Sequence, residues 1–530
     1  MTPDHRRSPF VPPADWLADV DTPQVGAPGA GFLLAMTLLA ALPRLLGLHA
    51  QSLWVDEILT WHAVRPGFGL DFWEQLHDTI QGPLYTAVAW ILVRLGNPEL
   101  MMRLPSAVAG ILTVPAFGAL AGRVVDGRTA RLAVLLLAVN PFHVWYSQEG
   151  RGYAFLVLFA VLAASAYLDL AAGRLRRRHV TAFIAAVAAC ILSNLSGLFL
   201  WAAMAATMAF LDRPRLDRDR VLIALAFGGV LLVTMPWLLE ASGIWAVDRI
   251  VPGAGTGEAL RGETTFTWAA LPYTLVTFFY GYSLGPSLAE LHRPDRARLV
   301  QAALPVLALG GLALGAALVS GLGRRPDRAR ARLLVWILLP VAVLVALALR
   351  NVKPWNPRYV SVVLPFVLLL AARGLVRLPR VAGALTATVL LALTVWSLGA
   401  ARADQRYARE DVREAVRVVN AAAAPADAVL VPVVSEVWSF YDTSRRPVLG
   451  SLGRPPLGGA GQADAFCAEV LGGRDHCWVV LAREWYFDPR GELPRALERA
   501  GTLRLVAQPA GTRIFAWERS GAGGGAAHGG

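Results

Sequence analysis

Three short stretches of the chain gather side chains that could do chemistry. The first is Ser52-Leu53-Trp54-Val55-Asp56-Glu57. Two adjacent carboxylates beside a tryptophan could supply a general base, because partial dehydration raises a carboxylate's proton affinity. Asp56 could equally cap the helix after it, by satisfying its free backbone N–H groups. The second stretch is Tyr146-Ser147-Gln148-Glu149-Gly150-Arg151-Gly152-Tyr153. An acid and a base two residues apart, framed by tyrosines, suit a sugar and a phosphate. A surface Glu149–Arg151 pair inside an interfacial aromatic belt is the plainer reading. The third, Lys353-Pro354-Trp355-Asn356-Pro357-Arg358-Tyr359, holds the only lysine of the sequence. Lysine as a point charge and arginine as a fork can together neutralise a phosphate. Both could instead snorkel to lipid headgroups.

Weaker candidates lie elsewhere. His77 and Asp78 precede Gln81-Gly82-Pro83-Leu84-Tyr85 and could touch an acceptor, although His77 also reads as a surface histidine. Asn194-Leu195-Ser196 matches a glycosylation sequon, but in a turn too tight to serve as one. The sequence shows no zinc-ligand spacing, P-loop or nucleophile elbow.

The elements that must position these residues are membrane helices. Of 530 residues 55% are hydrophobic and only 17% charged, against about 25% charged in soluble domains. These figures exclude a disordered chain, a collagen and a disulfide-rich secreted module. The net charge of +12 raises nucleic acid as a partner. The arginines, however, fall in short clusters between apolar runs, as in the cytoplasmic loops of a multi-pass protein. The partner is a lipid bilayer, not nucleic acid.

The clusters Arg123/Arg128/Arg131, Arg174/Arg176/Arg177/Arg178, Arg213/Arg215/Arg218/Arg220, Arg324/Arg325/Arg328/Arg330/Arg332 and Arg373/Arg377/Arg380 mark five inside loops. With a first helix over about 31–48, they give 11 spans and an external C-terminus. Gly82–Leu95 and about Trp268–Leu284 are too short to span and read as interfacial or re-entrant helices on the outer face. Counting both as crossings gives 13. Arg293, Arg296 and Arg298 then stand outside, against the charge rule. The expected organisation is a disordered cytoplasmic tail (1–29), a helical membrane domain (30–400), a small extracytoplasmic α/β domain (401–518) and a disordered glycine-rich end (519–530). In the soluble domain Glu410–Ala424 and Leu493–Ala500 read as helices, Asp427–Val434 and Cys477–Ala482 as strands, and Leu503–Trp517 as a hairpin through Gly511. Cys467 and Cys477 would lie in the oxidising compartment, separated by nine residues that include Gly472 and Gly473. A disulfide between them is expected.

Taken in order, Leu53-Trp54-Val55-Asp56-Glu57, Gly82-Pro83-Leu84-Tyr85, Arg103-Leu104-Pro105-Ser106, Gln148-Glu149-Gly150-Arg151-Gly152-Tyr153 and Pro357-Arg358-Tyr359 resemble the bacterial branch of glycosyltransferase family 39. That family comprises protein O-mannosyltransferases and lipid A aminoarabinose transferases of the GT-C fold, and the resemblance covers about residues 30–375. It implies a polyprenyl-phosphate-linked sugar as donor and an acceptor hydroxyl attacking the anomeric carbon with inversion. It puts the catalytic acid of the first outer loop on Asp56, with Glu57 beside it, and the second acidic loop on Glu149. Arg151, Lys353, Arg358 and Tyr359 would hold the departing phosphate. Gln148, Tyr153, Tyr85, Trp54 and His77 would contact sugar or acceptor. Relatives commonly carry Pro-Pro or Lys-Pro where this chain has Gly82-Pro83, which shifts the phosphate contact toward Lys353 and Arg358. No cofactor is required by this scheme, although Asp56 with Glu57 or Glu149 could hold a divalent metal. Two other readings compete: an O-antigen-type polymerase or ligase, using the basic loop Arg249–Arg298, and a lipid-linked sugar flippase. Neither the internal repeats nor the mid-membrane polar residues usual in transporters are evident. Sugar and acceptor (lipid, polysaccharide or protein) are left open.

Overall fold

The computed structural model describes residues 26–520 except 68, 70–71, 75, 77–81, 215, 245–265, 294, 324–326, 351 and 451–455. His77 and much of the Arg249–Arg298 loop therefore lie outside the described residues. Helices succeed one another through the first four hundred residues: α1 Ala30–Leu45, α2 Val55–Val64, α3 Pro83–Leu92, α4 Pro98–Val124, α5 Gly127–Ala138, α6 Pro141–Ser147, α7 Tyr153–Ala171 and α8 Arg177–Ser193. They continue with α9 Gly197–Phe210, α10 Asp217–Ile244, α11 Ala270–Tyr280, α12 Arg296–Leu322, α13 Arg328–Leu349, a 3₁₀ turn Pro357–Val363 running into α14 Leu364–Arg377, and α15 Arg380–Ala403.

Among the described residues seven helices are long and apolar enough to cross a membrane: α4, α7, α10, α12, α13, the Pro357–Arg377 unit and α15. The protein is a multi-pass membrane protein. The two short stretches of the sequence become α3, 10 residues, and α11, 11 residues. At 1.5 Å per residue each reaches roughly half of the hydrocarbon thickness. Burial sorts the long helices. The most apolar window of Pro357–Arg377 is 83% buried, that of α12 only 22%. The first is the central post of the bundle, and the second turns its Leu304, Leu309, Leu312 and Val319 outward.

One device starts three of the segments that carry the site. Asn97, Asn140 and Asn356 each precede a proline and each cap the helix or turn that begins there. Their side-chain oxygens accept from the backbone N–H of Leu100 (3.2 Å), His143 (2.8 Å) and Arg358 (3.1 Å). Asparagine satisfies a free donor, and proline supplies a first residue that needs none.

The soluble domain holds α16 Val412–Ala422, β1 Ala428–Leu430, α17 Ser435–Tyr441, β2 Val448–Leu449, α18 Ala460–Leu471, β3 His476–Ala482, α19 Glu484–Phe487, α20 Glu492–Ala500, β4 Gly501–Ala507 and β5 Thr512–Arg519. Its sheet runs β2-β1-β3-β5-β4. β1 is parallel to both neighbours, whereas β5 is antiparallel to β3 and to β4. Gly511 turns the final hairpin at φ +62, a conformation that suits glycine.

This domain is docked, not tethered. One apolar cluster runs from Leu53, Val55 and Ile58 of the first loop and α2 into Val412, Val416 and Trp438 of the soluble domain. Around it Ser52 Oγ donates to Glu410 O (2.7 Å), the Leu53 N–H to the Tyr441 hydroxyl (2.7 Å), and Arg413 pairs with Glu99 (2.9 Å). The expected disulfide is not there: Cys467 and Cys477 are free and buried. The helix holding Cys467 runs from Ala460 to Leu471, so a further turn of helix separates the cysteine from Gly472. Each thiol fills its own place in the core as a small apolar group.

Candidate active site

A cavity of about 1110 Å³ lies between the membrane helices and the soluble domain. Its walls include Trp54, Asp56, Glu149, Arg151, Tyr153, Lys353, Arg358 and Tyr359, so the three chemistry-bearing stretches of the sequence meet in one place.

Asp56 stands in the first turn of α2, but the helix cap is Trp54, and no side chain bonds across that end. The capping role is thus not what occupies Asp56. Its carboxylate pairs with the Arg358 guanidinium, both side chains being about one-tenth exposed. Arg151 Nη1 donates to the Asp56 carbonyl at 3.0 Å. The Arg358 guanidinium also lies 5.3 Å from the Tyr359 ring and 5.8 Å from the Tyr153 ring, and Lys353 Nζ sits 4.7 Å from the Tyr359 ring. Two cations and two tyrosines thus surround one carboxylate.

Glu57 has a different fate. It is wholly buried and gripped by Arg103, Nε to Oε1 at 2.7 Å and Nη2 to Oε2 at 2.6 Å, while the Gly150 N–H donates to Oε1 at 2.7 Å. Burial by itself would raise this carboxyl, but the charges of Arg103 and Arg409 and the Gly150 N–H hold it below the usual range. Arg103 also donates to the carbonyls of Leu48, Gln51 and Ser52. Glu57 does not line the cavity. It pins α2 to α4 and sets the Glu149 loop.

Glu149 does reach the cavity. Its side chain is fully buried, so it forms no surface pair with Arg151; Oε2 accepts from Arg409 Nη2 at 3.1 Å. Oε1 has no hydrogen-bond partner among the described residues. Burial pushes the Glu149 carboxyl up to about 7, and nearby Asp56 and Glu57 add to the effect against the opposing charges of Arg409 and Arg358. The indole N–H groups of Trp54 and Trp237, both on the cavity, and Arg358 Nε are likewise buried without a partner among the described residues. Buried polar atoms are nearly always paired, so these mark where a polar substrate would bond.

Gln148 and Tyr85 are elsewhere. Gln148 Nε2 donates to the Leu46 carbonyl (3.0 Å) and Tyr85 OH to Met102 O (2.6 Å), and neither lines the cavity. Gln148 ties its loop to the end of α1, and Tyr85 ties α3 to α4. Gly82 is a close-packing residue: a Cβ there would meet the Ser193 carbonyl oxygen at 2.2 Å. Among the described residues no group of three or more His, Cys, Asp or Glu side chains is arranged to hold a metal ion.

Part of the site carries no signal in the sequence. Asn194, Leu195 and Ser196, which read as a tight turn, line the cavity. So do Arg409, Arg483, Trp485 and Tyr486 from the far end of the chain. Arg483 bonds Glu410 at 2.9 Å.

The family model for dolichyl-phosphate-mannose-protein mannosyltransferases matches residues 80–239. The chain superposes on ArnT of Cupriavidus metallidurans with a TM-score of 0.53 at 14% identity, covering 92% of this chain and 98% of that one. It superposes on the Archaeoglobus fulgidus oligosaccharyltransferase with a TM-score of 0.50 at 15% identity, over 91% and 72% of the two chains. No curated protein matches the sequence. The chain has the fold that these two solved structures share. The segment matched by the family model carries Gly82, Glu149 and Arg151, whereas Asp56 and Arg358 lie outside it and come to the same cavity by folding.

Proposed function

We propose that the protein transfers a sugar from a polyprenyl-phosphate donor to an acceptor hydroxyl, with Asp56 as general base and inversion at the anomeric carbon. The observation that carries this reading is the Asp56–Arg358 pair on the wall of the cavity, flanked by Arg151 and Lys353. The acceptor hydroxyl gives its proton to Asp56 as its oxygen attacks the anomeric carbon. The bond from that carbon to the phosphate oxygen breaks, and the electron pair leaves with the polyprenyl phosphate. Arg358, Lys353 and Arg151 balance the phosphate charge, so no general acid is needed. Arg358 serves twice: the arriving phosphate draws its guanidinium from Asp56, which leaves the carboxylate basic when donor is present. No metal enters this scheme.

The reading also assigns a side. Arg123 ends α4, whose first residues lie at the cavity end, and Arg177 and Arg328 start helices that run back toward it. With those arginines in the cytoplasm, the cavity and the soluble domain face outward from a bacterial cytoplasmic membrane, and eleven crossings satisfy the order of clusters. Arg293, Arg296 and Arg298 stay on the cavity side, where Arg293 pairs with Asp295 at 3.0 Å.

The test is direct. Purified protein is incubated with radiolabelled polyprenyl-phosphate mannose, glucose, arabinose or aminoarabinose and with membrane extract as acceptor source. Transfer of label, abolished by Asp56→Asn, is expected. Label that moves across a vesicle without a new glycosidic bond would replace the transferase with a flippase.

A further inference from the structure

We propose that Arg409, in the strap joining the last membrane helix to the soluble domain, is the positioning residue for Glu149, so that the soluble domain completes the active site. The inference rests on the transferase reading above, with Glu149 as a substrate-binding carboxylate.

Arg409 is held on every side. Its side chain is only 8% exposed, Nη2 bonding Glu149 at 3.1 Å and Nη1 standing 3.5 Å from Glu57. Its guanidinium lies 4.7 Å from the Trp145 ring and 5.1 Å from the Trp54 ring. A planar, delocalised cation suits that place between two indoles and two carboxylates; a lysine ammonium would reach one partner at a time. The strap is fixed at both ends. Tyr407 OH donates to Gly285 O at 2.5 Å. Glu410 takes Ser52 Oγ on its carbonyl and Arg483 on its carboxylate, and the Asp411 N–H donates to Ala510 O at 2.8 Å. The arginine is therefore presented by the folded soluble domain rather than by a loose linker.

The role of Arg409 lies in the one oxygen it leaves open. By occupying Glu149 Oε2 it aims Oε1, which has no partner among the described residues, at the cavity. An ionised Oε1 can accept a bond from a sugar or acceptor hydroxyl, and a protonated one loses that capacity. The groups facing Glu149 are Arg409 from the strap, Arg358 from the 3₁₀ turn, Asp56 and Glu57 from α2, Arg151 from its own loop, and the hydroxyls of Tyr85, Tyr146 and Tyr282. Burial already brings this carboxyl to about 7. Removing the Arg409 charge lifts it further, so a larger fraction is protonated at neutral pH.

The experiment uses the full chain in nanodiscs, with Arg409→Gln, Arg409→Lys, Glu149→Gln and the double variant. The readouts are transfer from the active radiolabelled donor and melting temperature, both across about pH 5 to 9. In kcat/KM, which reports the free enzyme, Arg409→Gln should move the acid limb upward by about one unit and lower turnover roughly tenfold or more. Arg409→Lys should restore the limb more than the turnover. In the Glu149→Gln background, Arg409→Gln should add little, since residues acting as one unit are non-additive. An unmoved limb, or full additivity, overturns the proposal while leaving the transferase intact. If wild type transfers nothing, the transferase reading fails instead. The pH dependence of melting then decides the Arg409–Glu149 coupling by itself: it is expected to differ between wild type and Arg409→Gln, and identical curves overturn it.

Discussion

Two buried aspartate–arginine pairs stand about one helix apart. Ser196 borders the cavity at the start of α9 and Asp212 lies just past its end, some 21 Å along the axis by the rise per residue. At that far end Arg332 forks onto Asp212, Nε to Oδ2 at 2.7 Å and Nη2 to Oδ1 at 2.8 Å, and Tyr167 OH adds a third bond at 2.8 Å. Both oxygens are used, and neither residue borders the cavity. At the near end, Arg358 holds Asp56 but keeps a buried Nε without a partner among the described residues, as do Glu149 Oε1 and Trp54 Nε1 beside it. The residue types are the same. A fully bonded pair fastens helices together, whereas an incompletely bonded one beside a cavity leaves work for a substrate.

The largest effects should break this comparison in opposite directions. Asp56→Asn removes the proposed base and should lower transfer about 10²–10⁴-fold per folded molecule, well beyond any loss of folded protein. Asp212→Asn should leave the turnover of folded protein close to wild type while destabilising it by about 3–5 kcal/mol, since Arg332 is left largely buried with its counter-charge gone. Assay and thermal melt on the same preparations read both. An Asp56→Asn protein with more than half of normal activity would remove Asp56 from the mechanism. Glu57→Gln belongs with Asp212: it strips the charge from the Arg103 pair, so loss of folded protein should exceed any loss in rate per folded molecule.

That neighbouring Asp56 and Glu57 divide this way was not legible in the sequence. On α2 successive side chains point about 100° apart, and only the packed bundle decides which direction is cavity and which is α4. Short motifs made Asp56, Glu149, Arg151 and Arg358 visible, because each lies beside glycine, proline or aromatic residues that shape a loop. Arg409 gave no such sign. It is one of 50 basic residues in an arginine-rich chain, and its partner Glu149 is 260 positions away. The long helices were readable from hydropathy and the last hairpin from strand alternation around Gly511. Helix α18 was legible only at its end, where Ala468–Leu471 reads as helical, since Gly458, Gly459 and Gly461 stand at its start.

Glu149 offers a test of intermediate size that needs no substrate. Its carboxyl is raised from an ordinary 4.5 to about 7 in the folded protein. The stability it contributes is therefore complete below about pH 4.5 and is lost as pH rises through about 7, up to about 3 kcal/mol. Melting temperature should fall over that window in wild type and should fall less in Glu149→Gln. Parallel curves would mean that Glu149 is ionised throughout.

A smaller effect should separate the two cations near the phosphate end. Arg358→Ala should raise the donor KM and lower kcat together, because it contacts both Asp56 and the proposed phosphate. Lys353→Ala should raise KM alone by roughly tenfold or less, as a point charge over Tyr359. Arg358→Lys should recover only part of the loss. Wild-type KM in both alanine variants would return these side chains to the lipid headgroups.

The smallest expected effect is none at all, and it bears on what keeps the cavity end roofed. If Cys467 and Cys477 were bridged, the soluble domain that presents Arg409 would loosen on reduction. Both thiols are instead free and buried, and burial pushes each up to about 12, far from the thiolate form that attacks or oxidises. The domain is held to α2 by the shared apolar cluster and by the Arg413–Glu99 pair. Reductant should then change neither melting temperature nor transfer rate. Alkylation in denaturant without reductant should label Cys190, Cys467 and Cys477 alike. A gain of two labels on reduction would show a bridge and would make the roof of the cavity redox-dependent, unlike the Asp212–Arg332 end.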